Sequence, residues 1–176
     1  MSGTIPAMTT RENERDELLS TLDKHRGFLR YTVKDLTDEQ AAQRTTVSQL
    51  CLGGLIKHVT DVEQRWVDFI ERGPEAMGGF DAGAAERHAN SFRMSAGETL
   101  SNLLADYEST AARTADVVAG LPSLDLSHPL PEAPWFEPGA RWSARRVLLH
   151  VLAETAQHAG HADIIREALD GSKTMG

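Results

Sequence analysis

A chain of 176 residues, 40% hydrophobic and 25% charged, has enough material for one soluble core and too little for two. A formal net charge of −8 argues against a nucleic-acid partner, and no apolar run approaches the roughly eighteen residues of a membrane span. The single cysteine, Cys51, excludes an internal disulfide and an all-cysteine zinc site.

Residues 1–9 are small and polar and are expected to form a flexible lead-in, followed by one helical domain over 10–170 and a tail at 171–176. The lead-in lacks a basic region followed by an apolar stretch, so no signal peptide is expected and a reducing cytoplasm is the expected compartment. The excess of arginine over lysine hints at a GC-rich bacterial genome. From Thr10 to about Lys34, Leu18, Leu19, Leu22, Phe28, Leu29 and Val33 recur at helical spacing. A short helical turn is expected around Thr37-Asp38-Glu39-Gln40. A second long helix is expected from near Ser48 to Arg72, where Gly73-Pro74 stops it. Residues 73–96 read as a long crossover with one short helix at Ala84–His88. A third helix spans Ala96 to about Ala119 and ends at Gly120-Leu121-Pro122. Residues 122–141 are proline-rich and read as irregular, with no β-alternation of useful length. The last helix is opened by Trp142-Ser143-Ala144 and runs to about Leu169, with Gly171 as its C-cap. These elements give an all-α four-helix bundle with long crossover connections.

The last helix carries the chemistry. At about 100° per residue, Val147, Val151, Glu154, His158, His161 and Ile165 fall within an arc of roughly 80°. Valine and isoleucine at its ends mark the arc as a buried face, so a carboxylate and two imidazoles stand in an apolar stripe. Buried charge must be paired or metal-bound. Glu154 and His158, one turn apart, can converge on one ion about 2 Å from each. On the second helix, His58 shares its face with Cys51, Leu55, Val62 and Phe69. Taken alone it reads as a hydrogen-bonded core histidine; taken with Glu154 and His158 it makes a three-ligand site with open positions, the pattern of catalytic metal centres. Among the other histidines, His25 belongs to a polar edge, and His88 and His128 fall in connections. His150 lies one turn before Glu154. Cys51 reads as a small buried hydrophobe, and Leu130–Trp142 as one wall of a pocket.

The stretch Ser48-Gln-Leu-Cys-Leu-Gly-Gly-Leu-Ile-Lys-His58-Val with Glu63-Gln-Arg-Trp66 resembles the second helix of the DinB-like metalloprotein superfamily. So does Arg141-Trp142-Ser143 leading through His150 to Glu154-Thr-Ala-Gln-His158-Ala-Gly-His161-Ala-Asp163. The resemblance is greatest to the branch of mycothiol-dependent S-transferases and maleylpyruvate isomerases, and it spans about residues 10 to 170. It implies a DinB-like four-helix bundle, often homodimeric, that holds a divalent metal through His58, Glu154 and His158. Where the superfamily commonly has glutamine three residues after the last ligand, this chain has His161. That leaves three roles for His161, fourth ligand, a partner of a ligand, or a proton carrier, and the expectation is a catalytic one in which it transfers a proton or orients the reacting groups.

The function so implied is a metal-dependent transferase acting on a low-molecular-weight thiol such as mycothiol and a small electrophile, with neither nucleic acid nor membrane as partner. A metal-dependent small hydrolase and a non-catalytic metal-binding dimeric bundle are the alternatives. Two imidazoles and a carboxylate suit zinc, nickel or iron, with zinc favoured on availability alone. Arg65, two turns beyond His58, is either a solvated surface residue or a contact for an anionic group.

Overall fold

A computed structural model describes residues 10–78 and 83–174; the lead-in and the last two residues of the tail lie outside the described residues. The helices are α1 (Thr10–Tyr31), α2 (Asp38–Ala42), α3 (Leu52–Arg72), α4 (Ala84–Ser91), α5 (Leu100–Gly120) and α6 (Ala144–Asp170), with a 3-10 turn at Gly73–Met77. The four long helices form an all-α bundle in which α6 packs between α1 and α3, and α3 also packs on α5.

Local chemistry sets the helix ends. Thr37 and Gln40 form a capping box that starts α2, Thr99 accepts from the Asn102 N–H at the start of α5, and Ser143 does the same for Arg146 at α6. Gly171 closes α6 at φ +80°. Three boundaries differ from the periodicity. The α1 helix stops at Tyr31, and Asp35 takes a left-handed φ of 61° in the turn that follows. The α3 helix begins at Leu52 because the Ser48 hydroxyl accepts the Leu50 N–H in a local turn that competes with helix. The α5 helix begins at Leu100 because Gly97 sits at φ +86° ahead of the Thr99 cap.

The segment expected to be wholly irregular contains a small hairpin. Strands β1 (Ser127–Pro129) and β2 (Arg141–Ser143) pair antiparallel with His128 opposite Trp142. Strands of three residues are too short to register as alternation. Arg145 ties this region to α1 through Glu14 and also pairs with Asp125.

The core is two apolar halves. One gathers Leu29, Leu52, Leu55, Ile56, Leu103 and Ile165; the other gathers Leu22, Trp66, Phe69, Val118, Val147 and Val151. Along each long helix a polar position falls between these halves: Arg26 on α1, Glu63 on α3, Thr114 on α5 and Thr155 on α6, all buried. Arg26 pairs with Glu63, and the Thr114 hydroxyl donates to Glu63 Oε1 at 2.5 Å.

Candidate metal centre

The α3 and α6 helices bring His58, Glu154 and His158 together, each offering a ligand atom within 4.8 Å of the others. His58 and His158 are buried, whereas Glu154 keeps 28% of its side chain exposed, more than its place in the apolar arc suggests. His158 Nε2 lies 3.5 Å from Glu154 Oε2. The rings of His58 and His158 meet edge-on with centroids 4.9 Å apart.

Each imidazole is held from behind. His58 Nδ1 lies 2.9 Å from Ser91 Oγ at the end of α4, and that hydroxyl donates its one proton to the His88 carbonyl at 2.7 Å. Ser91 therefore accepts from His58 Nδ1–H, which fixes the tautomer and leaves the Nε2 lone pair available to a cation. Phe92 stacks on the same ring at 3.8 Å and 23°. This cover requires Gly54: a Cβ there would stand 2.0 Å from the Phe92 carbonyl oxygen. Ser91 and Phe92 were not identifiable from the sequence, and the Gly53-Gly54 pair was the one local trace of the close approach they need.

His161 stands behind His158 rather than with the converging three, its Nδ1 3.3 Å from His158 Nδ1. If His158 turns Nε2 to a cation, its Nδ1–H points at His161, which can accept it. His150 sits on the other side of Glu154, with Nε2 3.9 Å from Oε1, and its ring packs against Trp66 and Trp142. Of the remaining histidines, His128 lies 3.1 Å from the Ile70 carbonyl beside the hairpin, and His25 packs on Phe28. His88 is exposed but belongs to α4, with its ring centroid 5.7 Å from that of His58. Cys51 is buried, with Sγ 3.7 Å from the Phe92 carbonyl. The Leu130–Trp142 segment forms a cleft of its own, lined by residues 130–134 and 136–139.

The electrostatics suit a cation. Burial, followed by the His158 and His88 charges, pushes His58 down to about 4, against the pull of Glu154. Burial also lowers His150, again against Glu154. The hydrogen bond with His158 leads the effects that hold Glu154 below the usual carboxylate range, against its own desolvation. A neutral His58 and an ionised carboxylate are the deprotonated forms that metal binding requires. Two nitrogens and one oxygen match the donor set of a borderline divalent ion with positions to spare.

A helical bundle with a His, Glu and His group between its second and fourth long helices defines a DinB-like fold. The sequence model of the mycothiol-S-transferase family matches residues 17–171, and the chain belongs to that family. Among solved structures, a conserved protein from Enterococcus faecalis is similar, with a TM-score of 0.63 at 15% identity over 94% of this chain and 100% of that one, a likeness of fold. Comparison with curated proteins gave no match. Among the described residues, no helix is long and apolar enough to cross a membrane.

Proposed function

We propose that His58, Glu154 and His158 hold one divalent metal ion, and that the protein uses it to transfer mycothiol or a similar low-molecular-weight thiol to a small electrophile. The observation that carries this is the convergence of three ligand atoms within 4.8 Å, with His58 locked by Ser91 in the tautomer a metal needs. When bound, a divalent ion with an open position supplies a Lewis acid that favours the thiolate form of a thiol at neutral pH. The chain's own residues do the rest. Glu154 offsets the cation's charge, Ser91 orients His58, and His161 acts as a positioning residue that accepts the His158 Nδ1 proton. Phe92 shields the His58 ring from water.

Metal content of protein purified without a histidine tag tests this reading, comparing wild type with His58→Ala and Glu154→Ala. We expect near one equivalent of zinc, nickel or iron per wild-type chain and none in either variant. Loading with cobalt(II) and adding mycothiol is expected to bring up a sulfur-to-cobalt absorption band, as a thiol entering the open position requires. A wild-type chain that takes up no metal after incubation with zinc, nickel or iron sinks the proposal.

A further inference from the structure

The outer face of α6 differs from those of its neighbours. The exposed positions of α1 include Asp16, Glu17, Asp23 and Lys24, and those of α5 include Asp106, Glu108 and Asp116. Between Arg146 and Glu167, every exposed position of α6 is uncharged: Leu149, Ala153, Gln157, Gly160 and Ile164. At about 100° per residue these five fall within one arc of roughly 80°, on the side away from the buried Val151, Thr155 and Ala162. Leu149 and Ile164 leave 44% and 64% of their surface exposed among the described residues. Five turns of exposed helix without a charge, on a chain that is 25% charged, have the character of an interaction surface. A Cβ at Gly160 would meet nothing within 4 Å, so no contact within the described chain calls for a glycine there.

The order of residues along this face selects the partner. Turned end for end about a point between Ala156 and Gln157, the face reads onto itself: Leu149 exchanges with Ile164, Ala153 with Gly160, and Arg146 with Glu167. Two such helices packed antiparallel about a two-fold axis bring large apolar side chains opposite one another and small residues together near the crossing. They also set a cation opposite an anion at each end. A parallel arrangement would instead set Arg146 against its own copy. The Arg146 guanidinium lies over the Trp142 ring, 4.9 Å from its centroid. That stacking occupies the face of the guanidinium and leaves its in-plane N–H groups able to donate to a carboxylate.

We propose that the outer face of α6 is a two-fold interface between two copies of this chain. The helices cross antiparallel near Ala156 and Gln157, and Arg146 of each copy pairs with Glu167 of the partner subunit. One helix on one helix buries less than the roughly 1,200 Å² of a standard interface, so dissociation in the micromolar range is expected. The pairing uses none of the three candidate metal ligands and stands apart from the thiol-transfer reading.

Sedimentation equilibrium of the full chain over a range of concentrations tests this. Wild type is expected to pass from monomer to dimer at micromolar concentration. Arg146→Glu and Glu167→Arg each turn two attractive pairs into two repulsive ones, and each is expected to weaken the dimer by about tenfold or more. Arg146→Glu/Glu167→Arg restores opposite charges in the same register and is expected to recover most of that loss. Both reversals agree with the helix dipole, so the monomer should fold as before. Ile164→Glu is expected to abolish the dimer while leaving the Tm of the monomer unchanged. Wild type that stays monomeric up to millimolar concentration overturns the proposal. So does a dimer that survives Ile164→Glu and both charge reversals, since another face would then join the copies. Single variants that dissociate without recovery in the double variant reject the antiparallel register. A lower Tm for Ile164→Glu, at concentrations where wild type is monomeric, would mean that a segment of the same chain covers the face, which also overturns it.

Discussion

Two glutamates in this bundle face the same physical problem and meet it differently. Glu63 is fully buried, and α1 and α5 supply its partners: the Arg26 guanidinium grips both carboxylate oxygens, and the Thr114 hydroxyl donates to one of them. Glu154 is only half-buried, and its ion-pair contacts among the described residues are two imidazoles, His150 and His158. The Glu63 carboxylate is neutralised by the chain itself. The Glu154 carboxylate meets two imidazoles, side chains that can also ligate a cation, where Glu63 meets a permanently charged guanidinium. Depth of burial therefore does not single out the candidate ligand carboxylate in this fold; the nature of its partners does.

Removing each carboxylate in turn puts the largest strain on this comparison. Glu63→Ala strands the Arg26 guanidinium in the interior, a change that costs about 3–5 kcal/mol. For a domain of this size that lowers Tm by on the order of 10 °C. Glu154→Ala removes a partly exposed carboxylate, and in metal-free protein the expected loss is below about 1 kcal/mol. Replacing both members of the buried pair, as Arg26→Met/Glu63→Leu, is expected to recover most of the stability, because an apolar pair of similar volume avoids the desolvation cost. Denaturant titrations of the metal-free proteins read all three. Equal losses for Glu63→Ala and Glu154→Ala would erase the distinction between the two sites.

Acid sharpens it further. A histidine held at about 4 in the folded state and near 6.5 in the unfolded chain binds its proton first in the unfolded state as pH falls. His58 therefore takes stability away from metal-free protein between pH 6.5 and about 4, and His150, also lowered by burial, adds a loss of the same sign. Glu154, held below its usual range, stabilises the fold above about pH 4.5 and loses that contribution as pH falls through its folded pKa. Unfolding midpoints of the metal-free protein at about pH 7.5, 5.5 and 4.5 are expected to fall steadily, and less steeply in His58→Ala. The same slope in both proteins would remove His58 from the account.

Much of the fold and the centre was legible in the sequence, and the parts that were not share a cause. The four long helices follow from periodicity, and the α6 arc selects Glu154 and His158 because one helical turn is a local fact. His58 also stands out locally, as an imidazole in an apolar stripe. Glu63 stands out no less on its own face of α3, but its neutralising partner is 37 residues away on α1, and nothing local announces that pairing. Ser91 is hidden for the same reason, since its value lies in what it touches across 33 residues. The partial exposure of Glu154 is equally tertiary: an arc gives a direction from the helix axis and says nothing of what covers that direction. The helix starts at Leu52 and Leu100 shifted because a serine turn and a left-handed glycine outweigh a few residues of hydrophobic rhythm.

The smallest expected effect separates the two hydroxyls that serve the two sites. Thr114 and Ser91 are both buried, and each bonds a side chain on α3, the Glu63 carboxylate or the His58 imidazole. Thr114→Val removes a hydrogen bond to a buried carboxylate and is expected to cost about 1.5–3 kcal/mol of stability. Metal affinity should stay unchanged, because Glu63 is not a ligand. Ser91→Ala should do the reverse. With no acceptor for Nδ1–H, His58 is free to change tautomer and tilt, and loss of such an outer partner typically weakens metal binding roughly 10–100-fold. Ser91→Thr keeps the hydroxyl and is expected to restore part of that affinity. Competition with a chelator across the wild type and the three variants measures the difference. If Ser91→Ala held its metal as tightly as wild type, the α4 contact would be packing alone, and the orientation of His58 would have to come from the stacked Phe92 ring.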